Sequence, residues 1–425
     1  MTDYVSWGTL SSSSPDASRP VDAEGDSDGE PSPSKAPTAL LTPEFLALTA
    51  VSTLFFAGAG VLNALLPLFV VDELGGSEAI VGTVMGSMAL PALLSRPLFG
   101  RMADRHGARR ILFVGALVAA TAVLLLVLLP PSLPAVFASR LVFGAGAAAM
   151  LTGAAMRSLQ LAPPDRQSQG TSLALVAIHL GLGLGPILGV QVLRRYDFDA
   201  VWVAVVVLMV ASAGVGLLLT PTPRSVTGPP APLVHRAALL PGLVTLLGVF
   251  AFNGFVAFAS LYGREVGVVD VSLIFTVLSG SVIVARLVGS RVPDLIGPIL
   301  AGSGALVVTV IAALVVGWWA TPVGVFVGAV LMAAGLSLQS PSFIPLAMAG
   351  VPDHQRGAAM ATFTGFYDVA NALIGPSLGL IVVGFGYRTA FTLAAVVAVA
   401  ALILLNVAVA PRWRRITAPG ELSAA

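Results

Sequence analysis

The chain of 425 residues has no cysteine, a single lysine (Lys35) and four histidines, and only 10% of its residues are charged. The missing cysteine excludes disulfides, thiolate metal sites and cysteine nucleophiles. His106, His179, His235 and His354 are too scattered to suggest a set of metal ligands. Charge is scarcer still outside the first 40 residues. That segment holds seven acidic side chains with Arg19 and Lys35, leaving 34 charges for the other 385 residues. A soluble domain carries about 25% charged residues, and a globule of this size could not cover itself with so few. Its solvent must be largely lipid, which excludes soluble enzymes, coiled coils and nucleic-acid-binding proteins. The net charge of +1 cancels an acidic start against a basic body and identifies no partner. No G-x-x-x-x-G-K-[ST] phosphate loop occurs.

What is present is 56% hydrophobic residues in long uncharged runs. Residues 1–40, rich in Ser, Pro, Asp and Gly, read as a disordered tail without the basic-then-apolar pattern of a cleavable signal. A bilayer core takes about 20 apolar residues per helix. Dividing the runs at Pro130, Pro131 and Pro134, and at Trp318, Trp319 and Pro322, predicts twelve spans. They lie at 44–71, 79–100, 109–130, 134–157, 168–192, 200–220, 238–262, 271–292, 298–319, 322–348, 357–383 and 389–410. With the N-terminus placed inside, fifteen arginines fall on the inner side and four on the outer: Arg194, Arg195, Arg264 and Arg388. Both termini are therefore expected in the cytoplasm. The abundance of Arg, Ala, Gly and Val suggests a high-GC bacterial genome.

An offset of 190 residues aligns Asn63 with Asn253, Arg96 with Arg286, Arg101 with Arg291, Asp104 with Asp294 and Gly107 with Gly297. It also aligns Gly185, Pro186, Leu188 and Gly189 with Gly375, Pro376, Leu378 and Gly379. Matches among polar residues, Gly and Pro are hard to obtain from lipid-facing composition. The expected architecture is all-α: two pseudo-symmetric six-helix bundles, 41–220 and 238–410, joined by a cytoplasmic linker at 221–237 and followed by a tail at 411–425. Parallel halves of this kind rock about a central cavity, which predicts an alternating-access transporter.

The segment Gly100-Arg-Met-Ala-Asp104-Arg105-His-Gly107-Ala-Arg109-Arg110 resembles the G-x-x-x-D-R-x-G-R-[KR] signature of the major facilitator superfamily. Ser290-Arg291-Val-Pro-Asp294-Leu-Ile-Gly297 is its degenerate second copy. Arg140-Leu-Val-Phe-Gly144-Ala-Gly146 is similar to the family's R-x-x-x-G-x-G pattern. Gly181-x-x-x-Gly185-Pro186-x-x-Gly189-Val190 resembles the G-x-x-x-G-P-x-x-G-G motif of the drug/proton antiporter branch, with Val190 in place of the last glycine. The resemblance implies a cytoplasmic gate of Arg96, Gly100, Arg101, Asp104, Arg105, Gly107 and Asp294, with Asp104 meeting the N-terminus of the eleventh helix in the outward-open state.

Physical chemistry adds expectations of its own. Gly100 and Gly107 permit close approach of a tight loop, and a carboxylate suits a helix N-terminus. The Gly-Pro segments Gly181, Gly185, Pro186, Gly189 and Gly375, Pro376, Gly379 suit either a hinge or close packing. Arg140, about six residues into the fourth span, should face a cavity or a carboxylate, or else snorkel to the outer interface. Asp368 is the one carboxylate well inside an apolar span and is the candidate proton carrier, with Arg140 as its expected partner and His179 as a second titrating group. Asn63 and Asn253 should line the cavity or bridge helices.

The expected activity is export of a small organic molecule against proton entry, without a cofactor, by a monomer in the bacterial inner membrane. Uptake by proton symport is the alternative, since one acid serves either direction. A multi-pass membrane enzyme would need longer hydrophilic loops with convergent acidic, His or Ser groups, and a sensor would need a signalling motif in the tail. The sequence offers neither.

Overall fold

The computed structural model describes residues 42–163, 167–221, 235–289, 292–352 and 355–417. The expected tail at 1–40, most of the linker, Arg291, His354 and the last eight residues lie outside that set, as does the side chain of Asp104.

Helices α1 (Pro43–Asp72), α2 (Glu78–Ser87), α3 (Ala89–His106), α4 (Ala108–Leu128), α5 (Leu133–Leu161), α6 (Gln167–Arg195) and α7 (Phe198–Gly216) form the first half. The second comprises α8 (Leu239–Gly248), α9 (Phe250–Glu265), α10 (Ser272–Gly289), the short α11 (Val292–Ile296), α12 (Pro298–Trp318), α13 (Pro322–Met348), α14 (Arg356–Leu404) and α15 (Ala410–Thr417). In hydrocarbon every backbone amide must be satisfied within its own element, so uncharged runs become helices. Their starts carry ordinary caps: the Thr42 hydroxyl accepts from the Phe45 amide at 3.1 Å, Asp197 from Ala200 at 2.9 Å and Thr321 from Gly324 at 3.2 Å.

At 49 residues α14 would be about 73 Å long if straight, more than twice a bilayer core. It folds back at Gly386, where φ is +78°. Trp318, ending α12, reaches Thr392 with its indole nitrogen (3.1 Å), while Ser303 near the start of α12 meets Asn406 (3.0 Å). The stretch after Gly386 therefore runs antiparallel to α12, so the long apolar segment Ala358–Ile416 holds two spans, and the eleven apolar segments among the described residues make twelve. The expected five-residue connection between the last two spans is one residue. The last span also continues as helix to Thr417, carrying Arg412, Arg414 and Arg415 of the expected tail.

The internal repeat is visible in the backbone. Gly107 and Gly297, 190 apart, start α4 and α12 with φ/ψ of 84°/153° and 83°/153°. Only glycine adopts that conformation without strain, so the loop signature is answered by backbone geometry at both copies. The close approach expected at Gly100 is not seen, because a methyl group there would meet open space.

The second span breaks at Met88, a feature absent from the expectation. Pro91 supplies no amide to the Ser87 carbonyl, and the Met88 amide turns to Gly86 in place of Val84, whose carbonyl accepts from the Ser87 hydroxyl (2.8 Å). The seventh bends at Val249, whose amide still reaches the Thr245 carbonyl (2.9 Å), and the Gln339 side-chain amide donates to the neighbouring Gly248 carbonyl (3.3 Å).

Candidate functional site

A cavity of about 440 Å³ lies between the halves, lined from the first by Asn63, Arg96, Arg140 and His179 and from the second by Asn253, Arg286, Tyr367, Asp368 and Asn371. That volume is in the range of cavities that hold metabolite-sized molecules.

The contacts joining the halves concentrate between mid-depth and the face opposite the termini. A methyl group at Gly82 would overlap the Gly375 carbonyl and one at Gly375 the Gly82 carbonyl, so α2 and α14 meet backbone to backbone. Gly86 faces Pro376, and Gly379 the Glu78 carbonyl. The Ser260 hydroxyl donates to the Ala64 carbonyl (2.5 Å) and Thr276 to that of Gly183 (3.0 Å). At the rim Arg264 grips Asp72 through both terminal nitrogens (2.5 and 3.0 Å), and Arg194 binds Asp270 (2.9 Å). The opposite face is thereby sealed. On the terminal side, by contrast, Arg157 gathers Glu44 (3.0 Å) and the Thr220 hydroxyl (2.9 Å), tying α1, α5 and the end of α7 within one half.

The ion pair at mid-depth is not the expected one. Asp368, its side chain 6% exposed, pairs with Arg96: Nη2 donates to Oδ1 at 2.8 Å, and Nε lies 2.6 Å from Oδ2, off the line of a hydrogen bond. Arg96, grouped with the gate from sequence, therefore stands on the cavity wall, because α3 continues ten residues beyond it to His106. Arg101, Arg105 and Asp294 are exposed and remain at the terminal side, while the Asp104 side chain and Arg291 fall outside the described residues.

Arg140 reaches neither a carboxylate nor the interface. It is 1% exposed and serves the break at Met88, donating through Nε to the Val84 carbonyl (3.4 Å) and through Nη2 to that of Met85 (3.3 Å). Gly144, one turn further, lets α5 lie directly on the Met88 backbone. The R-x-x-x-G spacing thus seats one helix on a discontinuity in another. Arg140 still borders the cavity, and its Nη1 has no partner.

His179 lines the cavity and donates from Nδ1 to the Leu175 carbonyl at 2.8 Å. Asn253 does both things expected of it: it borders the cavity, donates to Asn371 Oδ1 (2.8 Å) and accepts from the Tyr367 hydroxyl (3.5 Å). Helices α6 and α14 run through Pro186 and Pro376 unbroken. Gly181, Gly185 and Gly189 receive α1, within their own half, whereas Gly375 and Gly379 receive α2 of the other.

Of the nine lining residues named above, three were not among the candidate site residues read from sequence: Arg286, Tyr367 and Asn371. Arg286 carried a signal, since it is the 190-residue counterpart of Arg96.

A family model described as Major Facilitator Superfamily matches residues 48–373 and again 243–423. An uncharacterized MFS-type transporter of Burkholderia mallei is 30% identical over 401 residues, covering 89% of this chain and 95% of that one. One of Salmonella typhimurium is 29% identical over 363 residues, covering 82% and 92%. Among solved structures, the human organic anion transporter MFSD10 aligns with a TM-score of 0.67 at 19% identity over 86% of this chain and all of that one. A peptide transporter, POT, in complex with sulfate aligns with a TM-score of 0.75 at 15% identity over 88% and 95%. At these identities the two structures speak for the fold alone.

Proposed function

Because the chain belongs to the Major Facilitator Superfamily and is a multi-pass membrane transporter rather than an enzyme, we propose that it exports a small organic molecule in exchange for protons, with Asp368 as the proton-carrying group. The observation that carries this reading is the Arg96–Asp368 pair, which joins α3 of one half to α14 of the other at mid-depth in the cavity. A shielded carboxylate held by an arginine from the facing half has two stable states, paired and charged or released and protonated. Exchanging one for the other changes a bond between the halves, which is what coupling a proton to rocking requires. Gly181, Gly185 and Pro186, similar to the exporter motif, favour the outward direction.

Cells overexpressing the transporter should contain less of its substrate than deletion cells, and a protonophore should erase the difference. Higher content in the overexpressing cells would establish uptake instead, and indifference to the protonophore would remove the proton.

We further propose, from the asymmetry of arginines, that both termini lie in the cytoplasm. In this cysteine-free chain an impermeant thiol reagent added to intact cells should modify Ser77→Cys and spare Ser225→Cys. The reverse pattern would invert the assignment.

A further inference from the structure

We propose that the substrate is an organic anion, with a carboxylate or phosphate head recognised by Arg286 and an apolar body. This rests on reading the cavity as the transport site. The charged residues that line it are Arg96, Arg140, Arg286 and Asp368, with His179 the remaining titratable side chain apart from Tyr367. Asp368 is taken by Arg96, which leaves two guanidinium groups uncompensated. Among the described residues no carboxylate lies within ion-pair distance of either. Arg286 is half-buried with its Nε bonded to nothing, and Arg140, 1% exposed, has its Nη1 bonded to nothing.

Two unanswered cations in one shielded space cost free energy in the empty protein, and they repel each other and any cationic cargo. An oxyanion removes both penalties. The planar fork of a guanidinium matches carboxylate and phosphate oxygens, and its charge-assisted hydrogen bonds strengthen in an apolar surround. Arg140 has two of its nitrogens committed to the break in the second span, so it acts chiefly through its field. Arg286 has no such duty, and it is the group placed to touch the ligand. Phe56, Phe252, Phe275 and Leu278 supply the apolar remainder of the wall.

The pairing also distinguishes the two arginines of the repeat. Arg96 and Arg286 occupy equivalent positions in the two halves, yet only Arg96 has an acid opposite it. In this division of labour Arg96 answers to the proton carrier and Arg286 to the cargo.

The absence of native cysteine permits a direct reading of the cavity's field. Ser340→Cys, on the cavity wall, is prepared in the full-length protein in phosphatidylcholine nanodiscs, whose lipids carry no net charge. Its modification rate is measured with an anionic sulfonatoethyl and a cationic trimethylammonium-ethyl methanethiosulfonate, each normalised to its rate with free cysteine. The anionic reagent should react faster by about tenfold or more. Adding Arg286→Gln should shrink that ratio several-fold, while Arg286→Lys should keep most of it. Equal rates, or a preference for the cation, overturn the proposal, and so does a ratio indifferent to Arg286→Gln. Loss of proton coupling would leave this ratio untouched, so the two readings fail separately. Reaction with neither reagent would contradict the open cavity and overturn both.

Discussion

Asp368→Asn should reduce gradient-driven accumulation to background while downhill exchange of substrate continues. The substitution keeps the shape of the side chain and removes the group that can gain and lose a proton. It also strands Arg96, which is 30% exposed and retains some contact with water. Breaking a fully buried pair costs about 3–5 kcal/mol, so the partly wet Arg96 should bring the loss of stability to the lower end of that range or below. A second variant separates coupling from folding. Arg96→Gln with Asp368→Asn removes both charges, so it should recover much of the lost thermal stability and none of the coupling. Transport by Asp368→Asn that still concentrates substrate with an ordinary pH dependence would sink the assignment and move attention to His179.

The second large effect is conformational. Gly375→Ala and Gly82→Ala each force a methyl group against the partner's backbone carbonyl. Backbone cannot rotate away as a side chain can, so the helices must separate. Overpacking of this kind costs about 1–3 kcal/mol, and because the contact crosses between the halves, the cost falls on the arrangement sealed at that face. Since 1.4 kcal/mol is tenfold in an equilibrium constant, the population open there should rise by roughly 5- to 150-fold. Spin labels on Glu73→Cys and Val269→Cys, both exposed on that face, should report a shift to longer distances. Gly185→Ala is the control. Its clash is with Ala57 of the same half, so it should lower thermal stability without lengthening the distance. An unchanged distribution in both Gly375→Ala and Gly82→Ala would show that the contact does not hold the face shut.

The spans were legible because charge is rare enough to punctuate them: the tenth runs Pro322–Met348 as its flanking residues imply. The same rule misplaced Arg96 and Arg286. Each is the first charge after an uncharged run and so reads as a helix end, but a cavity tolerates a cation where lipid does not. Only the third dimension distinguishes the two. The partner of Asp368 was illegible for a related reason. Arg96 lies 272 residues away on a helix whose rotation depends on the break at Met88, and no periodicity encodes that rotation. Arg140 looked like a charge in search of an acid, when its partners are the Val84 and Met85 carbonyls beside the break at Met88. The repeat held more than was taken from it, since Gly107 and Gly297 are matched to within a degree while Arg96 and Arg286 have parted company.

The turn at Gly386 sets how many parts the machine has. A single residue leaves no slack between the helix bearing Asp368 and the final span, and that span is pinned along α12 by Thr392 at one end and Asn406 at the other. Under the coupling proposed for Asp368, a tilt of its helix drags its successor and α12 along, which attaches the proton to a lever of three spans whose far arm sweeps through lipid. On that proposal the bilayer is part of the load against which each proton works.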